Sequence, residues 1–416
     1  MNYIPRLVDP ALGEALASSG MVLIEGLRGC GKSETAKRYA RSAVYLDRDT
    51  NMLAVAQLDP AVVLGGKYPR LIDEWQLAPA LWNEARHQVD EKQERGVFIF
   101  TGSSSKLRDG SSHPGSARVR KLKMRTFSVQ ESKFSSAAYL LSELFKGHNP
   151  TSCVSEAVPL EALFEMLCVG GWPAYQGLSA GQALRLHRDY LQDVVSLDLK
   201  TLEGPSDPQV AKRLLTAIAR SLGSKTPVSK LAAEVAGAGT PLKPQTAQAY
   251  ISQFEALWIT EEISAWVPHL RSRYSVNQSA KRYFGDASLA VSALSANPAN
   301  LIKDLKTAGF LFENFVITNL LTFMDALEGT VRHYRDESGL EIDAILEDNQ
   351  GRWGAVEIKL GFNAVEAAAS QLLKFASRVD TSVVGEASFL AVITNSSSSY
   401  RRADGVHVIS ISHIGR

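Results

Sequence analysis

Cysteine is scarce. Cys30, Cys153 and Cys168 are the only three in 416 residues, and none stands in CxxC spacing. That argues against a disulfide framework and a cysteine-ligated zinc site, and fits a reducing compartment. Charge of one sign is also lacking. The formal net charge is +1, so there is no global basic field, and contact with nucleic acid has to come from local patches. No apolar run reaches the length of a membrane span, and the opening stretch MNYIPRLVDPALGEAL has no apolar signal core. The expectation is a cytoplasmic protein with no membrane association. Internal repeats are missing, and the one biased stretch, SSSS at 396–399, is only a short loop. What remains is an ordinary globular composition, 45% hydrophobic and 21% charged, long enough for about two to four domains.

Residues 1–130 alternate short apolar runs with helical patterns. The runs are MVLI (21–24), AVYL (43–46), PRLI (69–72), VFIF (97–100) and VRKLKM (119–124). Spacing of this kind predicts a parallel sheet covered on both faces. Gly26-Leu27-Arg28-Gly29-Cys30-Gly31-Lys32-Ser33 follows the first run and meets GxxxxGK[ST] in full. Glycines let main-chain N–H groups curl around phosphate oxygens, and the following helix adds its positive end. Lys32 is expected on the β- and γ-phosphates of ATP, and the Ser33 hydroxyl on Mg²⁺. The nucleotide-binding set is Gly26 through Ser33 with Glu34 and Thr101.

An ATPase also needs an acid for the metal and a group to orient water. Leu71-Ile72-Asp73-Glu74 ends the third run, giving Asp73 to Mg²⁺ and Glu74 to the nucleophilic water. The fourth run ends in Thr101-Gly102-Ser103-Ser104, either a γ-phosphate sensor or a plain strand-ending turn. Arg118, after PGSA, is a candidate for transition-state charge, in its own subunit or a neighbour's. Lys121, Lys123 and Arg125 share one face of the fifth run by period two, a basic patch or a solvated one.

A helical region, 131–205, carries VGGWPAY (169–175), and EGPSDPQ (203–209) reads as a linker. Residues 206–295 run short helix, break, second helix and β-prone segment, the order of a winged helix-turn-helix. Gln245, Thr246, Gln248 and Tyr250 open the candidate recognition helix, and Arg271, Arg273, Lys281 and Arg282 flank a candidate wing. Such residues suit phosphate contacts; a protein-packing module is the alternative. Residues 296–416 read as a separate α/β domain in the order αβββαββ. Within it, Asp343, Glu357 and Lys359 fall on one face if 341–348 and 354–360 pair. Two carboxylates beside an ammonium suit metal-assisted phosphodiester cleavage, with Glu313 as a third carboxylate.

The ordered set YIPR (3–6), GLRGCGKSETA, LIDEWQ, FTGSS and GSAR resembles prokaryotic AAA+-superfamily ATPases with an uncharacterised C-terminal region. VGGWPAY and KRYFGDASL (281–289) resemble further motifs of that family. One departure is Leu27-Arg28-Gly29-Cys30-Gly31-Lys32-Ser33, where relatives carry Pro-Arg-Gln-Val/Thr-Gly-Lys-Thr; serine keeps the hydroxyl. The Asp343, Glu357-x-Lys359 pattern, with Gln371 on the next helix, resembles the PD-(D/E)xK nucleases. The resemblance implies an α/β fold in four parts: a P-loop AAA+-like ATPase core (1–130), a helical lid (131–205), a winged helix-turn-helix (206–295) and a restriction-endonuclease-like domain (296–416). Lys32, Glu74, Arg118 and Lys359 would be catalytic, and Ser33, Asp73, Glu313, Asp343 and Glu357 metal ligands. The expected function is ATP hydrolysis driving an action on duplex or branched DNA in a homo-oligomer such as a hexamer. The alternatives are an ATP-held signalling switch with a protein partner and an ATP-licensed, metal-dependent nuclease.

Overall fold

The computed structural model describes residues 3–103, 118–236, 242–267 and 280–416. Ser104, the PGSA stretch, Arg271 and Arg273 lie outside the described residues. The chain divides into two compact units, one of residues 1–126 with 256–258, the other of 127–255 with 259–416.

The first unit is built on a five-stranded sheet, β1 (Met21–Glu25), β2 (Ser42–Tyr45), β3 (Arg70–Asp73), β4 (Phe98–Gly102) and β5 (Val119–Lys123). The order is β2-β3-β4-β1-β5 and every pairing is parallel. β1, β3 and β4 are buried along their whole length, as continuous apolar runs in a helix-covered sheet should be. β5 is the exposed edge, and its Arg120 and Lys121 keep that edge charged. The basic face expected there is incomplete, because Arg125 is buried. Because the strands are parallel, all five end on one rim, and insertion of β4 beside β1 opens a crevice at that rim.

The second unit joins residues 127–255 to 259–416. The region expected to be helical, interrupted by the loop GHNPTSC, also contributes two short strands, β6 (Tyr139–Leu140) and β7 (Cys153–Val154). β7 closes one edge of the C-terminal sheet. Two-residue strands leave no periodic signal to read. The helices Pro208–Arg220, Val228–Ala236 and Pro244–Ala256 precede an antiparallel pair, β8 (Thr260–Ile263) and β9 (Lys281–Phe284).

The C-terminal part is a seven-stranded mixed sheet. Its strands are β10 (Thr330–Arg335), β11 (Glu341–Glu347), β12 (Trp353–Lys359), β13 (Phe389–Thr394), β14 (Ser398–Arg401) and β15 (His407–Ser410) in the order β10-β11-β12-β13-β15-β14-β7. β16 (Ile414–Gly415) leaves that sheet and pairs with β6. The helices Leu305–Ala326 and Val365–Ala376 pack on it. The first is long and apolar enough to cross a membrane by length and composition, yet 67% of that apolar window is buried inside the protein.

Helix Leu305–Ala326 also carries the polar anchors that tie the second unit together. Buried Asn314 accepts from Phe284 N at 2.8 Å and donates to Phe284 O at 2.9 Å. Asn319 accepts from Val129 N at 2.7 Å. Asn314→Ala is expected to cost about 2 kcal/mol, because both main-chain groups of a buried strand end lose their partner. Denaturant titration at unchanged slope is the measurement.

Candidate functional site

β1 delivers the chain into the glycine-rich loop, and the helix Lys32–Tyr39 begins on its last residues. The loop needs its glycines for stated reasons. Gly31 caps the helix at φ 105°, a left-handed conformation. Gly26 passes so close to β5 that an added Cβ would lie 1.9 Å from Met124 O. Lys32 is buried, and its Nζ donates to Gly26 O and Leu27 O, both at 2.9 Å. Cys30 is fully buried with Sγ 3.4 Å from Met124 O, so it is a packing residue shielded from oxidants. The Glu34 side chain is exposed and pairs with Lys37 at 2.6 Å on its own helix.

The two neighbouring strand ends bring the expected carboxylate and hydroxyl to the loop. Ser33 Oγ donates to Asp73 Oδ1 at 2.7 Å, and Thr101 Oγ1 donates to the same oxygen. The pairing Asp73↔Thr101 between parallel β3 and β4 sets this juxtaposition. Glu74 follows with φ 55°, a left-handed residue that turns the chain sharply off β3. Gln76 donates to its Oε2, and Ser103 Oγ reaches the same atom at 3.4 Å. Burial raises the Glu74 carboxyl above its ordinary range, against the pull of Lys32 and Gln76.

Arg118 is not at this site. Its carbonyl accepts from Met21 N at the start of β1, the opposite rim of the sheet, and its guanidinium pairs with Asp90. Five residues of strand, about 16 Å, separate it from the loop of its own unit. Two residues of the rim lie inside the motifs LIDEWQ and YIPR, yet no role is read for them in the sequence. Gln76 is one. The other is Arg6, which is buried and donates to Cys30 O at 2.8 Å and to Arg125 O at 2.7 Å, clamping the loop to the end of β5. Tyr3 assists by donating to Asp9 at 2.7 Å, its hydroxyl 3.0 Å from Thr35. Arg6→Ala is expected to weaken nucleotide affinity about tenfold by releasing the loop, its charge-assisted hydrogen bonds to Cys30 O, Arg125 O and Thr126 O being lost. Equilibrium binding of a fluorescent ATP analogue measures it.

In the second unit the sheet and its covering helices gather a second polar cluster. Asp343 on β11 accepts from Ile358 N at 2.9 Å and from Lys359 at 3.1 Å. Lys359 also lies 2.6 Å from Glu357, to which Gln371 donates at 3.2 Å. Glu313 accepts from Tyr283 at 2.7 Å. Burial pushes Glu313 up to about 7 and Glu357 up to about 8. Burial also works to raise Asp343, but the Lys359 and Lys281 ammonium groups outweigh it and hold it low.

The three carboxylates expected as metal ligands are therefore near one another, with an ammonium among them. Among the described residues no three His, Cys, Asp or Glu side chains form a group able to hold a metal ion. Other expectations in this unit change as well. Tyr250 is buried with its hydroxyl on the main chain of Asp207, so it cannot face a ligand. Arg282 lies 2.6 Å from Glu262 and donates to Thr226 O, and Lys281 is buried in the carboxylate cluster. The motifs at 169–175 and 281–289 meet: Gly171 N donates to Asp286 at 3.0 Å and Trp172 Nε1 to Ser288 at 3.1 Å. Gly170, at φ 70°, has no room for a Cβ against Asp286.

Comparison with known proteins gives three family matches. An AAA domain matches residues 18–133, and two domains of unknown function, DUF8612 and DUF4143, match residues 160–300 and 308–414. No curated protein matches the chain. Among solved structures, a Walker-type ATPase of Pyrococcus abyssi is similar at 14% identity and TM-score 0.42, over 68% of this chain and 94% of that one. Residues 18–133, which match the AAA domain, hold the glycine-rich loop at the rim of a parallel sheet, the arrangement of a P-loop nucleotide-binding domain.

Proposed function

We propose that the chain hydrolyses ATP with Mg²⁺ and uses the cycle to act on DNA. The observation that carries the ATPase half is the convergence of Ser33 and Thr101 on one oxygen of Asp73, beside the loop that holds Lys32. A hydroxyl and a carboxylate 2.7 Å apart form the oxygen-only donor set that suits a hard divalent cation, so Ser33 and Asp73 would hold Mg²⁺. When bound, that ion supplies neutralisation of charge on the phosphate oxygens. The main-chain N–H groups of residues 26–33 bind the triphosphate, and Lys32 swings from its loop carbonyls to the phosphates. Thr101 holds Asp73 in place. Glu74, kept in orientation by Gln76 and Ser103, accepts a hydrogen bond from the attacking water and polarises it. Arg118 would act only across a subunit boundary, in a homo-oligomer such as a hexamer.

The DNA half rests on the helix pair Val228–Ala236 and Pro244–Ala256 followed by the β8–β9 hairpin, the order of a winged helix. Gln245 and Gln248 are exposed on the second helix and suit backbone contacts. The helix-flanked sheet after residue 304, with Asp343, Glu357 and Lys359 together, suits a nuclease-like domain. The experiment is the ATPase rate of the full chain with duplex, single-stranded and branched DNA at two salt concentrations. Stimulation by at least one form, weakening steeply with salt, is expected. Turnover indifferent to all three forms would overturn the DNA half. ATP-dependent retention of a protein partner, without DNA retention, would replace it with the switch.

A further inference from the structure

We infer that Lys281 is a built-in cation that closes the C-terminal carboxylate cluster to divalent metal. Its side chain is 2% exposed, and its Nζ stands 2.7 Å from Glu341, 3.8 Å from Glu313 and 3.8 Å from Asp343. These three carboxylates surround one point, and the ammonium is at that point. A divalent ion bridging them would need oxygens at about 2.0–2.6 Å and would meet a positive charge at the same place. Attraction between an ammonium and carboxylates this near is large, and so is the repulsion of a second cation. Lys359 occupies the other side of the cluster, between Asp343 and Glu357. Asp343 is shared between the two ammonium groups. The donor set as folded therefore does not fit a metal, although its carboxylates are those a metal would use.

The closing cation does not belong to the sheet whose carboxylates it neutralises. It comes from β9, inside the segment matched by a different family, and the whole strand is fastened to helix Leu305–Ala326. Tyr283 holds Glu313, and Phe284 holds Asn314 with both main-chain groups. Gly223, at φ 64°, closes the remaining side, where a Cβ would fall 2.5 Å from Glu313 Oε1. Seating of the hairpin and absence of metal are thus one state. A metal site appears only when Lys281 withdraws. This stands independently of whether ATP turnover responds to DNA.

The test is Mn²⁺ titration of the nucleotide-free full chain, followed by the electron paramagnetic resonance signal of free Mn²⁺. Wild type and Glu357→Gln are expected to give the same curve. Lys281→Gln and Lys281→Met are each expected to gain one site, about tenfold or more tighter than any in wild type, because a unit charge a few ångströms away has been removed. The double variant Lys281→Gln/Glu313→Gln should lose it again, because Glu313 is one of the three carboxylates around the vacated point. Mn²⁺ should raise the unfolding temperature of Lys281→Gln and leave wild type unmoved. A Mn²⁺ site in wild type that Glu357→Gln removes would overturn the inference, as would a folded Lys281→Met without the gained site. Where the Lys281 variants do not fold, the wild-type and Glu357→Gln pair decides.

Discussion

Lys32→Ala is expected to lower ATP turnover about 10²- to 10³-fold, the scale of losing one preorganised electrostatic contact to a developing charge. Phosphoryl transfer leaves little covalent work to the protein, so positioning and charge carry nearly all the acceleration. Lys32 is fitted to that task by its environment. Its stem is buried, and its ammonium is held on Gly26 O and Leu27 O at 2.9 Å, within the loop that would cradle the phosphates. Two main-chain carbonyls in place of a counter-charged carboxylate leave the ammonium free to exchange onto phosphate oxygens at small cost. The Coulomb attraction to a triphosphate exceeds that to neutral carbonyls. Phosphate release by the purified variant measures the loss, and the unfolding temperature checks that the fold is kept. A variant retaining a tenth or more of the wild-type rate would show that Lys32 is not a phosphate ligand.

The rim was legible in the sequence because local patterns fix it. A strand followed by GxxxxGK[ST] puts the loop at a strand end, and apolar runs ending in Asp73 and Thr101 share that rim if the strands are parallel. The order β2-β3-β4-β1-β5 then makes Asp73 and Thr101 neighbours. For Arg118 the same rule leaves only one of the two readings, the one across a subunit boundary. This residue precedes its strand, so a parallel sheet sends it to the far rim. Arg6 and Gln76 stand inside YIPR and LIDEWQ, but spacing alone gives neither residue a role. In the second unit the alternation of Asp343, Glu357 and Lys359 put those side chains together correctly on paper. The fourth partner, Lys281, lies 60 positions or more from the carboxylates of β11, and nothing local marks a lysine at a strand start as buried. Only the tertiary fold turns a residue that reads as part of a wing into the centre of a charge cluster.

That cluster should be the most costly place in the second unit to remove a charge. Lys281→Met is expected to lower stability by about 3 kcal/mol, since breaking a buried ion pair from one side leaves uncompensated charge. Glu341 keeps a second cation in Arg335 at 3.6 Å, and Asp343 keeps Lys359 at 3.1 Å. Glu313 has only the Tyr283 hydroxyl among its other hydrogen-bond partners named above, and it bears most of the cost. The double variant Lys281→Met/Glu313→Gln should therefore recover about half of the loss, because the neutral amide still accepts from Tyr283. Glu341→Gln in the same background should recover less, as that carboxylate is 31% exposed and can hydrate. Urea unfolding of wild type, the single variants and the two doubles measures each coupling energy. Recovery by Glu341→Gln with none by Glu313→Gln would mean that Lys281 acts through its contact with Glu341 alone, and the picture of one ammonium shared by three carboxylates would fall.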